Sequence, residues 1–349
     1  MQNFLPLALG LTMFSFLITS LLVVPFINFL YKIKFTRKAE APKTGKIPLF
    51  DKLHDVKAGT PVGGGVLIIA IVTILFSILF PLSSYLGVFV QTAHNLRIEL
   101  FIIFFTFISF GLLGLIDDYK KMLGKPTKGI LGLAFGLKRR QKFLFQWILA
   151  LFISFIIYKV LGVHILHVPI LGITLNLGLW YIPFSAFVIV SFTNAVNITD
   201  GLDGLAAGLL MICLIAFGVI AASSIDMPLS LFIALWIGAL IAFLYFNIWP
   251  ARIWLGDTGA LSFGATLAVI GLLTGNIIAL IVIGGIFVIE ILSSAIQILG
   301  WKILKRPIFK LAPLHHTFLA IGWEEPKIVM RVWLAGIILA IFGLWLATI

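Results

Sequence analysis

The chain has 349 residues, of which 61% are hydrophobic and only 11% charged, with a formal net charge of +12. A water-soluble domain carries about a quarter charged residues, so this composition excludes a soluble globular fold and makes lipid the solvent. The single cysteine, Cys213, excludes an intramolecular disulfide and argues against a thiolate metal site.

A bilayer crossing takes about 20 apolar residues. About ten such stretches follow along the chain, at 4–30, 62–80, 98–116, 143–161, 181–197, 203–222, 228–246, 259–275, 277–300 and 330–348. The fold class is therefore all-α and polytopic, one membrane domain over 1–349. The first stretch has no Lys or Arg before it, and its basic cluster begins only at Lys32. A cleaved signal peptide has the reverse arrangement, so this segment is expected to stay as a span with its N-terminus outside. Basic residues collect in cytoplasmic loops. Of the 25 Lys and Arg, all but Arg97 and Lys159 fall on one side of a ten-span path, which places both termini outside. This bias and attraction to anionic membrane lipids account for the positive charge, so no nucleic-acid partner is needed.

Between the first two spans lies KAGTPVGGG, where Thr60 reads as a helix cap and Pro61 as a first helical residue. That leaves Lys57 and a Gly run to meet a phosphate. The third span ends in GLIDDYKK. Asp117 and Asp118 sit where the helix end is partially negative, so the pair calls for a cation. Lys120, Lys121 or a metal could supply it. The stretch 128–142 mixes apolar residues with a basic end and reads as interfacial. The stretch 162–178 alternates β-branched and apolar residues around a Pro and a Gly, as a small external β-hairpin would. His164 and His167 within it read as surface histidines.

Asn197, Asp200 and Asp203 follow at i, i+3 spacing in NAVNITDGLDGLAAG, so a helical stretch would present all three on one face. Asp257 in GDTGA could cap a helix or bind a ligand. By the charge topology, Asp117, Asp118, Asp200, Asp203 and Asp257 share the cytoplasmic boundary. Oxygen-only ligands of this kind suit a hard cation such as Mg²⁺, held by one or two carboxylates with substrate phosphates completing the shell. His315 and His316 are adjacent, unlike the i, i+4 pair of a helical zinc site.

Together, HDVKAGTPVGGG, GLIDDYKK, NAVNITDGLDGLAAG, FNIWPARIWLGDTGA and PLHHTFLAIGWEEP occur in the order found in one family. The chain resembles the polyprenyl-phosphate N-acetylhexosamine-1-phosphate transferases of the glycosyltransferase 4 group. PLHH followed by GW, Arg331 and Trp333 favours the branch of phospho-N-acetylmuramoyl-pentapeptide transferases over its GlcNAc-using relatives. That resemblance implies UDP-N-acetylmuramoyl-pentapeptide as donor, undecaprenyl phosphate as acceptor, UMP as product, Mg²⁺ as cofactor and a homodimer of ten-helix subunits. One departure stands out. The family usually has a third histidine followed by Phe-Glu, whereas here Thr317, Phe318 and Leu319 follow His316.

On this resemblance, Asp257 is the expected Mg²⁺ ligand with Asn197 a further one, because a divalent ion offsets repulsion between two anionic substrates. Asp117 and Asp118 are expected at the acceptor, one of them taking its proton. Lys57 and Lys121 are expected at phosphate, with Thr60, Asp200 and Asp203 also on the substrate side. Trp254 could stack on uracil or anchor the membrane interface, Asn247 could line a nucleoside pocket, and His315 and His316 could touch the donor. A transporter is the competing class, but only Glu290 lies well inside a span, and a single acid makes a poor relay.

Overall fold

The computed structural model describes residues 4–37, 57–85, 91–123, 127–129, 132–134 and 136–349. The basic run from Lys38 to Lys52 and the start of HDVKAGTPVGGG lie outside the described residues. Twelve helices are described: α1 (Phe4–Lys32), α2 (Gly64–Tyr85), α3 (Leu96–Leu123), α4 (Arg139–Lys159), α5 (Tyr181–Thr199), α6 (Leu205–Ser223), α7 (Met227–Asn247), α8 (Gly256–Leu273), α9 (Ile277–Ile283), α10 (Gly285–Ile303), α11 (Leu314–Ala320) and α12 (Glu325–Thr348). Ten of these helical stretches are long and apolar enough to cross a membrane, and all but the ninth match a stretch read from the sequence. Their outer faces carry large apolar side chains, such as Leu21 at 71% and Ile338 at 67% exposure. In water such a surface would aggregate; in a bilayer it is solvated.

Helix α8 is the axis of the bundle, and nearly all of its residues are buried. It packs against α2, α3 and α5, while α7 packs against α1, α2 and α6. Lipid supplies no hydrophobic drive between helices, so close packing and buried hydrogen bonds hold them together. Ser15 donates to the Leu235 carbonyl at 2.7 Å, joining α1 to α7, and Ser262 donates to the Phe107 carbonyl at 2.6 Å, joining α8 to α3.

One predicted span differs. The stretch read as continuous over 277–300 is cut at Gly284 into α9 and α10. Two consecutive glycines favour a helix break, and the Phe192 ring packs where a Gly284 side chain would stand. The external hairpin is present. Strand β3 (Ile165–Val168) pairs antiparallel with β4 (Ile173–Asn176), with Val168 opposite Ile173. A second short ladder, β1 (Thr127–Gly129) with β2 (Gly132–Ala134), lies in the stretch read as interfacial. The basic end of that stretch opens α4.

Candidate active site

The third span runs as far as Leu123, so Asp117 and Asp118 project from the last turns of α3. Their neighbour is the start of α8. A side chain on Gly114, one turn earlier, would lie 2.2 Å from the Asp257 carbonyl, so glycine there lets α3 close on the α8 N-terminus. Asp118 uses this closeness fully. Its Oδ1 accepts from the Asp257 amide at 3.0 Å, and its Oδ2 accepts from the Thr258 amide at 2.9 Å and hydroxyl at 2.7 Å. The cap that Asp257 could have provided for its own helix thus comes from Asp118 on another. Gly256 takes a left-handed φ of +74° at this junction, where a side chain would strike Asp118.

Asp257 sits in the first turn of α8, where the helix dipole favours an anion. The Lys121 ammonium lies 2.8 Å from Asp257 Oδ2 and 3.1 Å from Asp117 Oδ2, so the two carboxylates converge on one cationic point. Lys142, in the first turn of α4, also pairs with both, at 3.1 Å from Asp117 Oδ2. Asp117 Oδ1 accepts from the Leu137 amide at 2.6 Å, and Asn197 donates its amide to Asp257 Oδ1 at 3.1 Å. Of the cations that the Asp117–Asp118 pair called for, Lys121 is in place and Lys142 joins it, while Lys120 takes no part in these ion pairs. Lys142 was not singled out in the sequence, where it ends the basic run KRRQK beside a membrane boundary. The one available signal was its position a turn inside an apolar helix.

Asn197, Asp200 and Asp203 do not share a helical face. Helix α5 ends at Thr199, and residues 200–204 form a turn in which Gly204 has φ +77°. Asn197 consequently points to Asp257, and Asp203 to Lys57. Asp200 lies between these groups. Burial, then the carboxylates of Asp257, Asp118 and Asp203, push its carboxyl up to about 7, with Arg37 acting the other way.

Lys57 is not free. Its ammonium is 2.8 Å from Asp203 Oδ1 and also pairs with Glu325 at the start of α12. Asp203 Oδ2 accepts from the Ala251 amide at 2.9 Å, and its own amide donates to Glu325. This buried triad ties the 200–204 turn to three distant segments. Lys57 also lies 4.9 Å from the Trp254 ring centroid, and Arg37 lies 5.4 Å from it. Trp254 is buried against these two cations. Glu325, like Lys142, was missed by the sequence reading.

Thr60 and Pro61 do not begin a helix. Thr36 and Pro61 form an antiparallel bridge, Val62 and Trp254 a parallel one, and α2 starts only at Gly64. The first amides of α2 are satisfied by backbone instead of a threonine: Gly63 and Gly64 donate to the Trp254 carbonyl at 3.1 and 2.8 Å, and Gly65 to the Leu255 carbonyl at 2.9 Å. The Thr60 carbonyl accepts from the Arg37 amide. Asn247 is buried and spans the site's frame, donating to the Ile253 carbonyl at 2.9 Å and accepting from the Gly204 amide at 3.2 Å. His315 and His316 are buried side by side on α11, their ring centroids 4.1 Å apart. Thr317, in place of the family's third histidine, donates to the Leu311 carbonyl.

The arrangement is an oxygen-rich pair of carboxylates, Asp117 and Asp257, already gathering positive charge, with an amide beside it and lysines able to face phosphate. Among the described residues no group of three or more His, Cys, Asp or Glu is arranged to hold a metal ion. Carboxylate and amide oxygens are the donor types that Mg²⁺ takes.

The model of glycosyl transferase family 4 matches residues 100–275, from α3 to just past α8, which are the helices that carry the carboxylates. The phospho-N-acetylmuramoyl-pentapeptide-transferase of Geobacillus sp. (strain WCH70) is 35% identical over 95% of both chains. The chain belongs to this family. The transferases of the same name from Oceanobacillus iheyensis and Caldanaerobacter subterraneus subsp. tengcongensis are 36% and 37% identical over 95% and 94% of both chains. The relatives extend the likeness well beyond the family-model match, since they cover 94–95% of the chain.

Proposed function

We propose that this family member transfers phospho-N-acetylmuramoyl-pentapeptide from its UDP-linked donor to undecaprenyl phosphate, giving lipid I and UMP for peptidoglycan synthesis. The reading is supported by the names of its relatives and, above all, by the convergence of Asp117 and Asp257 on Lys121. Two anionic substrates must approach each other, and a cluster that gathers cations between carboxylates offsets their repulsion.

In this reading Asp117 and Asp257, with the amide oxygen of Asn197, would hold Mg²⁺. The ion supplies charge neutralisation of the donor diphosphate. Lys121 and Lys142 move from the carboxylates to phosphate oxygens as substrate arrives. Asp117 takes the acceptor's proton, a modest task because a phosphate monoester titrates near neutrality. Asp118, whose oxygens are engaged by the α8 N-terminus, acts by fixing Asp257. Asp200, whose carboxyl is pushed up to about 7 by burial and neighbouring carboxylates, stands on the substrate side. His315 and His316 face the donor across the 200–204 turn. The positive-inside pattern supports a bacterial inner-membrane protein with this site at the cytoplasmic face, and the family resemblance extends the reading to a homodimer.

The test is incubation of the purified protein with undecaprenyl phosphate, Mg²⁺ and competing UDP-sugars, with mass spectrometry of the lipid product. A lipid-linked muramoyl-pentapeptide and stoichiometric UMP are expected. A lipid-linked GlcNAc as the sole product moves the chain to the GlcNAc-using reading, and no lipid product from any donor removes the transferase reading.

A further inference from the structure

Glu290 lies near the middle of the first half of α10, in the apolar run GIFVIEILSSA, and is 2% exposed. A carboxylate so placed is costly unless something pairs with it. Its Oε2 is 3.0 Å from His315 Nδ1 and 3.4 Å from the His315 amide. His315 is fully buried, and its other ring nitrogen, Nε2, has no hydrogen-bond partner. That nitrogen faces the turn between α5 and α6: a side chain on Gly201 would stand 2.5 Å from it. The packing of α11 on α10 is fixed independently, by the Leu314 amide donating to Ser293 Oγ at 3.1 Å.

A carboxylate at Nδ1 fixes the ring's orientation and tautomer. Nε2 is thereby turned away from Glu290, towards the turn that carries Asp200 and Asp203. Asp203 is already paired with Lys57 and Glu325. An unpaired buried nitrogen at such a place is costly in the free protein, and it is matched by a ligand that brings an oxygen.

We propose that Glu290 is a positioning residue that holds the His315 ring with Nε2 aimed at the 200–204 turn, where that nitrogen hydrogen-bonds the nucleoside-diphosphate donor. The inference rests on the donor class proposed above. Glu290 touches no substrate; it acts through His315.

The experiment compares wild type, Glu290→Gln, Glu290→Asp and His315→Gln in detergent, with unfolding temperature recorded as a check on folding. Donor KM is measured from UMP release at pH 7.5, and affinity for UDP alone is measured without turnover. Gln keeps the size of Glu290 and can accept from Nδ1 but removes the negative charge. Glu290→Gln is expected to raise donor KM and the UDP dissociation constant about tenfold near pH 7.5. His315→Gln should raise both by at least as much, Glu290→Asp should lose less than Glu290→Gln, and the Glu290→Gln/His315→Gln pair should be no worse than His315→Gln alone. Equal donor KM and equal UDP affinity for wild type and Glu290→Gln would overturn the proposal, whatever happens to kcat or unfolding temperature. If wild type binds UDP but turns over no donor, the transfer reading fails, and the UDP titrations still decide the role of Glu290.

Discussion

Asp118 holds the backbone amide of Asp257 at 3.0 Å while the side chain of Asp257 faces Lys121 and Asn197. One carboxylate therefore aims the other. Asp118 also takes the Thr258 amide and hydroxyl, so its oxygens satisfy three donors at the start of the most buried helix in the bundle. Adjacent acids in the sequence thus divide between two tasks: Asp117 looks into the cluster and Asp118 locks its frame.

Replacing Asp118 by Ala leaves those donors unpaired, and hydrogen bonds to a charged acceptor are worth about 1.5–3 kcal/mol each. Asp118→Ala is expected to lower stability by about 3 kcal/mol or more and to abolish UMP release. Asp257→Ala, which leaves the cap in place, should abolish release with little loss of stability. Thermal unfolding in detergent beside an activity assay separates the two. Equal unfolding temperatures for Asp118→Ala and wild type would remove the capping role.

Lys121 and Lys142 occupy the carboxylate oxygens that the proposed metal needs. Removing one lowers the competition for Asp117 and Asp257. Lys142→Met should tighten the apparent Mg²⁺ requirement severalfold while reducing transfer at saturating Mg²⁺, because the lysine is also lost from phosphate. Binding of Mn²⁺ followed by electron paramagnetic resonance gives the metal affinity without turnover. A weaker metal affinity in Lys142→Met would mean that the lysine supports the ion instead of competing with it.

The ten spans were readable because each is a long apolar run, and no other solvent than lipid tolerates them. Asp117 was readable because a carboxylate at the partially negative end of a helix calls for a cation, and Asp257 because the family resemblance gave it a role. What escaped was pairing at long range. Lys142 resembles any basic residue obeying the positive-inside pattern until Asp117 and Asp257 are seen beside it. Lys57 appeared free because Asp203 and Glu325 lie far along the chain. Spacing misled at Asn197, Asp200 and Asp203, since i, i+3 periodicity says nothing once the helix stops at Thr199. The Thr60–Pro61 cap failed for a similar reason: the carbonyls of Trp254 and Leu255 had already satisfied the amides it would have served.

Asp200 titrates near 7, against an ordinary value of 3.8, chiefly because of burial and then because of neighbouring carboxylates. The folded protein therefore holds this proton more tightly than the unfolded chain. The contribution to stability is fully present below the ordinary value and is lost as pH rises towards about 7. Wild type should lose unfolding temperature between about pH 5 and pH 7, and Asp200→Asn should lose less. The difference above pH 7 amounts to at most about 4 kcal/mol, because a tenfold change in proton affinity corresponds to about 1.4 kcal/mol, and solvent reduces it. Parallel stability curves for the two proteins across that range would show that Asp200 does not carry the titration.

The Lys57–Asp203–Glu325 triad makes the sharpest claim about the frame of the site. All three side chains are buried. Removing the one cation leaves two carboxylates facing each other in a poorly solvated place, and breaking a buried ion pair from one side costs about 3–5 kcal/mol. Lys57→Met should therefore be among the least stable variants of the chain, with transfer lost because the 200–204 turn is released from α12. Glu325→Gln keeps a hydrogen-bond acceptor for Lys57 and for the Asp203 amide, and its loss should be smaller, about 1 kcal/mol. Combining the two changes removes one of the opposed carboxylates, so the double variant should be more stable than Lys57→Met alone. Unfolding temperatures of the four proteins at pH 7.5 measure this cycle. Simple additivity of the two losses would mean that Lys57 and Glu325 do not act on each other, and that the lysine is held for some purpose other than this joint.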